Sequence, residues 1–574
     1  MPDSPSTVTL TPSPSGEGFD YIWQRGQHPP ERPFPEFGQR QEEVAPNVLF
    51  DRDVAIPMRD GVKLYANVFR PVKGEKVPAI VCYAPYGKEN PFRYEPFYKN
   101  GGVRPEWLSK YACYEAPDPL YWVPHGYAIV NVDSRGMYHS EGEATFLNRA
   151  EGRDGYDAVE FLARQGWCSG KVGLAGVSYL AIVQWQIAAL RPPHLAAFNL
   201  WEGVSDMYRE FLLHGGIPET NFVPRWSRGR LTLSLTRTED LVEMVKAHPL
   251  WDAYWETKRA NLKNITAPAY IVASWTDHGL HTRGTLQGFR EISSKEKWLE
   301  IHGRKKWEYF MQPDRVEEQR KFFDHFLRGI DNGWQKRPKV WMEVRERYYV
   351  GRFRSEADWP IARAQHKKLF LDGRNMKLGP SLPKVKMRIS YDAPEQGSRS
   401  PHAYHENRVE FDYRFARTTE LTGYMKLKLW VEAEGNDDMD LFVALQKFDK
   451  NGKHVGFPCY NAYEDGPVAQ GWLRVSHREL DPARSTPEQP WLLHRRLLKL
   501  KPKEIVPVEI EIWPSGTLFQ AGETLRLVVQ GSDVYTFGGG GYLHPQTLNK
   551  GRHAIHTGGK CDSHLLAAIM PPKR

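Results

Sequence analysis

From about Val48 to about residue 335 the chain alternates short apolar runs with longer stretches of helical periodicity. PAIVCYA, YAIVNVD, KVGLAGV, AAFNLW, AYIVAS and WLEIH are nearly continuous in apolar residues and are bounded by Gly, Pro or charged positions, as strands covered on both faces by helices are. Their alternation with amphipathic segments predicts βα units around a mainly parallel sheet, an α/β architecture. In DGYDAVEFLARQGW, Tyr156, Val159 and Leu162 or Ala163 share one face, so a helix is expected before the KVGLAGV strand. Another is expected at PDRVEEQ, where Asp314 and Glu317 have capping-box spacing, Phe322, Phe323, Phe326 and Leu327 follow, and Gly329 sits at the C-terminal cap.

Two regions depart from that alternation. Residues 203–258 interrupt the strands with helical, Trp-rich sequence and predict an inserted helical cap. After residue 338, runs such as MKLKLWVEAE, DLFVALQKFD, VPVEIEIW and TLRLVVQG alternate polar and apolar positions between turn signals, which predicts an antiparallel, jelly-roll-like β domain. The resulting plan is an N-terminal extension (1–48), an α/β unit (49–202 and 259–337), the cap (203–258) and the β domain (338–574). Before Val48 the chain reads as a flexible lead and a Pro-rich arm, FDYIWQRGQHPPERPFPEFGQRQ, suited neither to a helix nor to a central strand.

A length of 574 residues exceeds what one core usually serves, in line with more than one domain. The net charge of +8 is spread along the chain without a long basic block, which argues against a nucleic-acid surface. Five widely spaced cysteines argue against a disulfide framework and a zinc site. The Ser/Pro-rich start lacks a signal-peptide pattern, and no stretch reaches the roughly 18 apolar residues of a membrane span. A soluble cytoplasmic protein without nucleic-acid or membrane partners is expected, and a homo-oligomer is left open.

The chemistry centres on GLAGVSYLA, Gly173 to Ala181, between a predicted strand and the helical WQIAAL. A Ser on a sharp strand-to-helix turn projects its hydroxyl at the carboxyl edge of the sheet, and the next N–H points where an oxyanion would form. The usual five-residue pattern ends in Gly, whereas Leu180 stands there. A serine nucleophile needs a histidine to take its proton and a carboxylate to orient that histidine. AYIVASWTDHG places Asp277 at the end of one strand, and KWLEIHG places His302 at the end of the next. Both are at carboxyl ends, where open α/β sheets bind ligands, so Ser178, Asp277 and His302 are the expected triad. His278 and His281 compete, but they follow the acid's own strand and are expected to approach from the wrong loop.

With these motifs in place, IPMRDGVKLYANVFRP, YAPYGK, VDSRG, AGVSYLA, SWTDHG and TGGKCDSHLL together resemble the CocE/NonD hydrolases, the family of bacterial cocaine esterase and the X-prolyl dipeptidyl-peptidases. The resemblance runs from about residue 50 to the end. It implies a serine α/β-hydrolase with a helical cap and a C-terminal jelly roll. It also implies a tyrosine hydroxyl as an oxyanion donor, which falls on Tyr86 in YAPYGK beside the backbone N–H of Tyr179. The family's histidine lies in a Gly-Pro-Trp-x-His segment, where this chain reads HGRKKWEYF, with Trp307 at the histidine's place. Relocation to His302 is expected. Asp133 and Arg135 of VDSRG are assigned to a structural ion pair.

The function expected from these residues is hydrolysis of a small-molecule carboxylic ester or acyl amide, with no cofactor or metal. Trp226 and Trp251 of the cap are the substrate-binding candidates. X-prolyl dipeptidyl-peptidase activity is the alternative, with Glu202 and Glu210 as candidates to hold a free α-amine. From another class, the rival is a catalytically inactive binding protein with a broken triad.

Overall fold

The computed structural model describes residues 10–12, 19–28, 34–89, 96–393 and 407–571. Its first half is an α/β-hydrolase sheet. In spatial order the strands are Arg40–Ala45, Val48–Pro57, Lys63–Pro71, Ala128–Asp133, Val77–Ala84, Cys168–Val177, Leu195–Trp201, Ala269–Ser274, Lys297–His302, Val340–Arg347 and Val350–Glu356. The run from Ala128–Asp133 to Val340–Arg347 is parallel, and every residue of the Ala128–Asp133 and Ala269–Ser274 strands is buried. The apolar runs of the sequence therefore form the covered strands of the sheet.

The helix Arg149–Ala163 precedes the Cys168–Val177 strand, and Asn148 caps it by accepting from the Ala150 and Glu151 N–H groups. The helix Pro313–Arg328 packs Phe323 and Leu327 against the same strand, so closely that a Cβ on Gly173 would lie 2.8 Å from the Phe323 ring. Gly329 ends it in the left-handed conformation, with φ +72°. Its start differs from expectation: Pro313 is the first helical residue and Gln312 the N-cap. Asp314 is thereby inside the helix and forms no capping box.

The N-terminal arm also differs. Asp20–Arg25 is a strand that pairs with Arg237–Glu239, and Arg40–Ala45 pairs with Val48–Pro57. Tyr21 and Trp23 are buried and their neighbours are more exposed, an edge-strand alternation that the prolines, all further along, do not interrupt. Between residues 203 and 258 the chain forms short helices, Phe222–Arg230, Leu241–Ala247 and Ala253–Thr257, together with that Arg237–Glu239 strand.

From Gln365 onward the chain is a β-sandwich. One sheet is built around Thr419–Glu434, which pairs with Val506–Phe519, Arg552–Thr557 and His564–Met570. The other runs Arg408–Arg414, Thr524–Gln530, Asp440–Phe448 and Ala469–Arg474. Leu427, Ile510, Phe411, Leu441 and Leu527 meet in the core between them. The cysteines are all free and buried. Among the described residues no helix is long and apolar enough to cross a membrane.

Candidate active site

Ser178 joins the end of the Cys168–Val177 strand to the helix Tyr179–Ala189 with φ +60° and ψ −117°. For a non-glycine residue this is a strained turn, costing about 1–3 kcal/mol and kept only where surroundings enforce it. Here they do: the Ser178 N–H donates to the Trp201 carbonyl at 3.0 Å, and the Val177 N–H donates to the Glu115 carbonyl at 3.1 Å. Gly176 is required two residues before, since a Cβ there would stand 2.5 Å from that of Leu180. Tyr179 is the first residue of the helix, so no intrahelical carbonyl takes its N–H.

The partner of the serine is His281. Its Nε2 lies 3.1 Å from the Ser178 Oγ, placed to accept the hydroxyl proton. Asp277 and His281 share one tight turn, in which the Asp277 carbonyl accepts from the N–H groups of Leu280, His281 and Thr282 before the helix Thr282–Glu291 begins. Both side chains are fully buried. The nearest Asp277 oxygen is 4.0 Å from the same Nε2 that faces the serine, and it is 3.1 Å from the Lys306 ammonium. Burial first, and the Lys306 charge second, hold the His281 imidazole well below its usual pKa, against a contact with the Gly203 backbone that favours protonation. The ring is thus neutral and able to act as a base.

His302 does not come to the serine. In the sheet it pairs with Ser274, three residues before Asp277, so it is still inside the strand layer. Its ring stacks on Tyr309 at 4.1 Å between centroids, faces Glu202 at 3.6 Å and is fully buried. The imidazole that meets the serine hydroxyl is that of His281 and not that of His302. His278 points elsewhere, its Nδ1 accepting the Gln470 N–H at 3.2 Å.

Tyr86 is buried beside the turn, its ring 5.7 Å from that of Tyr179 and 5.1 Å from that of Tyr114. Its hydroxyl accepts from the Trp226 indole N–H at 3.1 Å, which leaves its own proton free to donate. Burial, with the nearby Glu115 charge, pushes the phenol pKa up, so the group stays a donor. Trp226 of the cap is thereby tied to the site. Trp251 is not: it stacks on Arg209 at 4.3 Å and lies against Tyr208. The Tyr179 hydroxyl serves structure, donating to both oxygens of Glu151 at 2.9 and 2.8 Å.

Buried carboxylates surround this group. Glu115 accepts from the Trp307 indole at 2.9 Å, and burial raises its pKa to about 7 despite Lys306 and Trp307. Burial and then Asp277 raise that of Glu202. Glu210 is saturated by the Ser205 N–H and hydroxyl, the Asp206 N–H and the Arg283 guanidinium. Asp133 and Arg135 do not pair with each other; Asp133 binds Lys88 at 3.1 Å, and Arg135 binds Asp154 and Asp60. Among the described residues no cluster of His, Cys, Asp or Glu is arranged to hold a metal. Sequence reasoning passed over Lys306 and Glu115, and the only available sign was Lys306 beside Trp307 where the family places its histidine.

A family model described as X-Pro dipeptidyl-peptidase (S15 family) matches residues 60–241, and one described as X-Pro dipeptidyl-peptidase C-terminal non-catalytic domain matches residues 332–566. The chain is 42% identical to a solved CocE/NonD family hydrolase from Staphylococcus aureus, over 91% of this chain and 94% of that one, with a TM-score of 0.87. It is 26% identical over 382 residues to the cocaine esterase of Rhodococcus sp., a match spanning 56% of this chain and 62% of that esterase. A putative serine esterase of Mycobacterium bovis is 22% identical over 594 residues, covering 84% of this chain and 90% of the relative.

Proposed function

Since the chain belongs to the CocE/NonD family of hydrolases, we propose that it cleaves a carboxylic ester or acyl amide, with Ser178 as nucleophile and His281 as base. The observation carrying this reading is the 3.1 Å approach of His281 Nε2 to the Ser178 hydroxyl. In the first half-reaction the hydroxyl proton passes to Nε2 while Oγ bonds to the carbonyl carbon. The oxyanion takes hydrogen bonds from the Tyr179 N–H and the Tyr86 O–H. Collapse expels the alcohol or amine, which leaves with the proton held on Nε2. Water then gives a proton to Nε2, attacks the acyl carbon and frees the acid, and the proton returns to Ser178.

Asp277 enters this scheme as a charge 4.0 Å from the imidazolium that forms, shared with Lys306, and not as an orienting acid on the second ring nitrogen. The contact between His281 and Ser178 also favours an active enzyme over an inactive binding protein. The carboxylates considered for a free α-amine favour ester or simple amide substrates over X-prolyl peptides, because Glu210 is saturated and Glu202 is sealed against His302. A panel of p-nitrophenyl acyl esters against Xaa-Pro anilides tests this: turnover of the esters, lost in Ser178→Ala, supports it, and turnover of the anilides alone overturns it.

A further inference from the structure

The turn that carries Asp277 and His281 is held on its outer side by residues of the β-sandwich half. The Tyr460 N–H donates to the Thr276 carbonyl at 3.0 Å, and the Gln470 N–H donates to His278 at 3.2 Å. Tyr542 covers Gly279, which has φ +95° and where a Cβ would meet that ring at 3.3 Å. The Gly279 carbonyl itself lies 2.8 Å from Nε2 of His214.

His214 is the inner end of a buried chain. Its Nδ1 is 2.8 Å from Nε2 of His544, and His544 Nδ1 is 2.9 Å from Asp533, which also accepts the His544 backbone N–H at 2.6 Å. Both imidazoles are buried, 1% exposed each. The ends of the chain, a carboxylate and a carbonyl, can only accept. Each of the three links therefore needs its own proton, whereas two neutral imidazoles carry only one N–H apiece. The complete chain holds one proton beyond two neutral rings, balanced by the Asp533 charge. Burial, and the charge of His544, hold His214 itself neutral. The extra proton sits on the Asp533 side, so donation from His214 to Gly279 depends on Asp533.

We propose that Asp533 and His544 are positioning residues of the hydrolytic site, acting through His214 on the Gly279 carbonyl to hold the Asp277–His281 turn with its imidazole against Ser178. The proposal rests on the reading of Ser178 and His281 as nucleophile and base. It gives the β-sandwich a part in turnover without contact to the substrate. The other charged or titratable groups nearby are Glu219 beside His544, and Arg209, Arg283, His494 and Glu511 around the cavity that His214 lines. None of these completes the chain of hydrogen bonds.

The test uses the full-length protein, with turnover of p-nitrophenyl acetate normalised to the serine titrated by a fluorophosphonate, and hydrogen exchange measured over residues 276–284. Asp533→Asn is expected to lose about tenfold or more in kcat per titrated serine, with KM within about twofold. Exchange in 276–284 should quicken. Asp533→Glu should restore most of the rate. His544→Gln is expected to show the same loss in kcat with KM little changed, and this variant serves if Asp533→Asn does not fold. Wild-type kcat per titrated serine in either variant overturns the proposal. Should the wild type take no label, the reading of Ser178 fails separately, and unchanged exchange over 276–284 in Asp533→Asn then overturns the positioning role.

Discussion

The imidazole of His281 reaches the Ser178 hydroxyl at 3.1 Å from the acid's own turn, not from the next strand. Four residues after Asp277, the chain has folded back through Gly279 and started a helix, with His281 as its N-cap residue. A base supplied this way presents one ring nitrogen to both serine and aspartate. Lys306, on the helix Lys306–Met311, pairs at 3.1 Å with the same carboxylate oxygen that faces His281, so the ammonium and the imidazole share one buried charge.

This arrangement dictates a pH profile. Burial and Lys306 depress the His281 pKa, so the base is already free at pH 6.5. kcat/KM is expected to be flat between about pH 6.5 and 8 and to fall only on the acid side, as the ring takes a proton. Lys306→Met removes one of the depressing charges and should move that acid limb to higher pH. A limb unmoved in this variant would separate Lys306 from the base.

Tyr86 is expected to act in the transition state and not in binding. Tyr86→Phe keeps the ring among Tyr114 and Tyr179 but deletes the donor, and should lower kcat by about 10²-fold or more with little change in KM. Trp226→Phe, which only frees the Tyr86 oxygen from its indole partner, should cost less. Equal losses in the two variants would mean that the hydroxyl is held by Trp226 for structure alone.

Glu115 makes the fold itself sensitive to pH. Its pKa is about 7 in the folded protein and 4.5 for an ordinary glutamate, so the native state binds this proton more tightly than the unfolded chain does. The associated stabilisation is complete below pH 4.5 and is lost as pH rises to 7, amounting to about 3 kcal/mol. Glu115→Gln cannot titrate and keeps a carbonyl to accept from Trp307. Its thermal midpoint, compared with wild type at one scan rate, should improve between pH 5 and 7; a constant difference would exclude the effect.

What could be read from the sequence follows from how local each feature is. The Ser178 turn was legible because a strand, Gly176, Ser178 and a helix are consecutive, although the Trp201 and Glu115 carbonyls that hold it come from distant parts of the chain. The covered strands were legible from their unbroken apolar runs. His302 misled because a strand end in the right chain order resembles a site position, yet its register with Ser274 keeps it within the sheet under Tyr309. His281 depended on how sharply five residues turn, which Asp277 decides by gathering three N–H groups on one carbonyl. The Asp20–Arg25 strand was hidden by the proline-rich stretch after it and by Ile22, which breaks the polar–apolar alternation of Tyr21 and Trp23. Trp251 shows the limit of composition: a tryptophan in the cap is as readily used to cover Arg209 as to meet a substrate.

The choice of base is decided by comparing His281→Ala and His302→Ala for fluorophosphonate labelling of Ser178 and for ester turnover. His281→Ala is expected to label slowly and to lose about 10³-fold or more in kcat, while folded His302→Ala retains labelling and most of its rate per titrated serine. The reverse pattern, with His281→Ala active and His302→Ala silent though folded, would contradict the account.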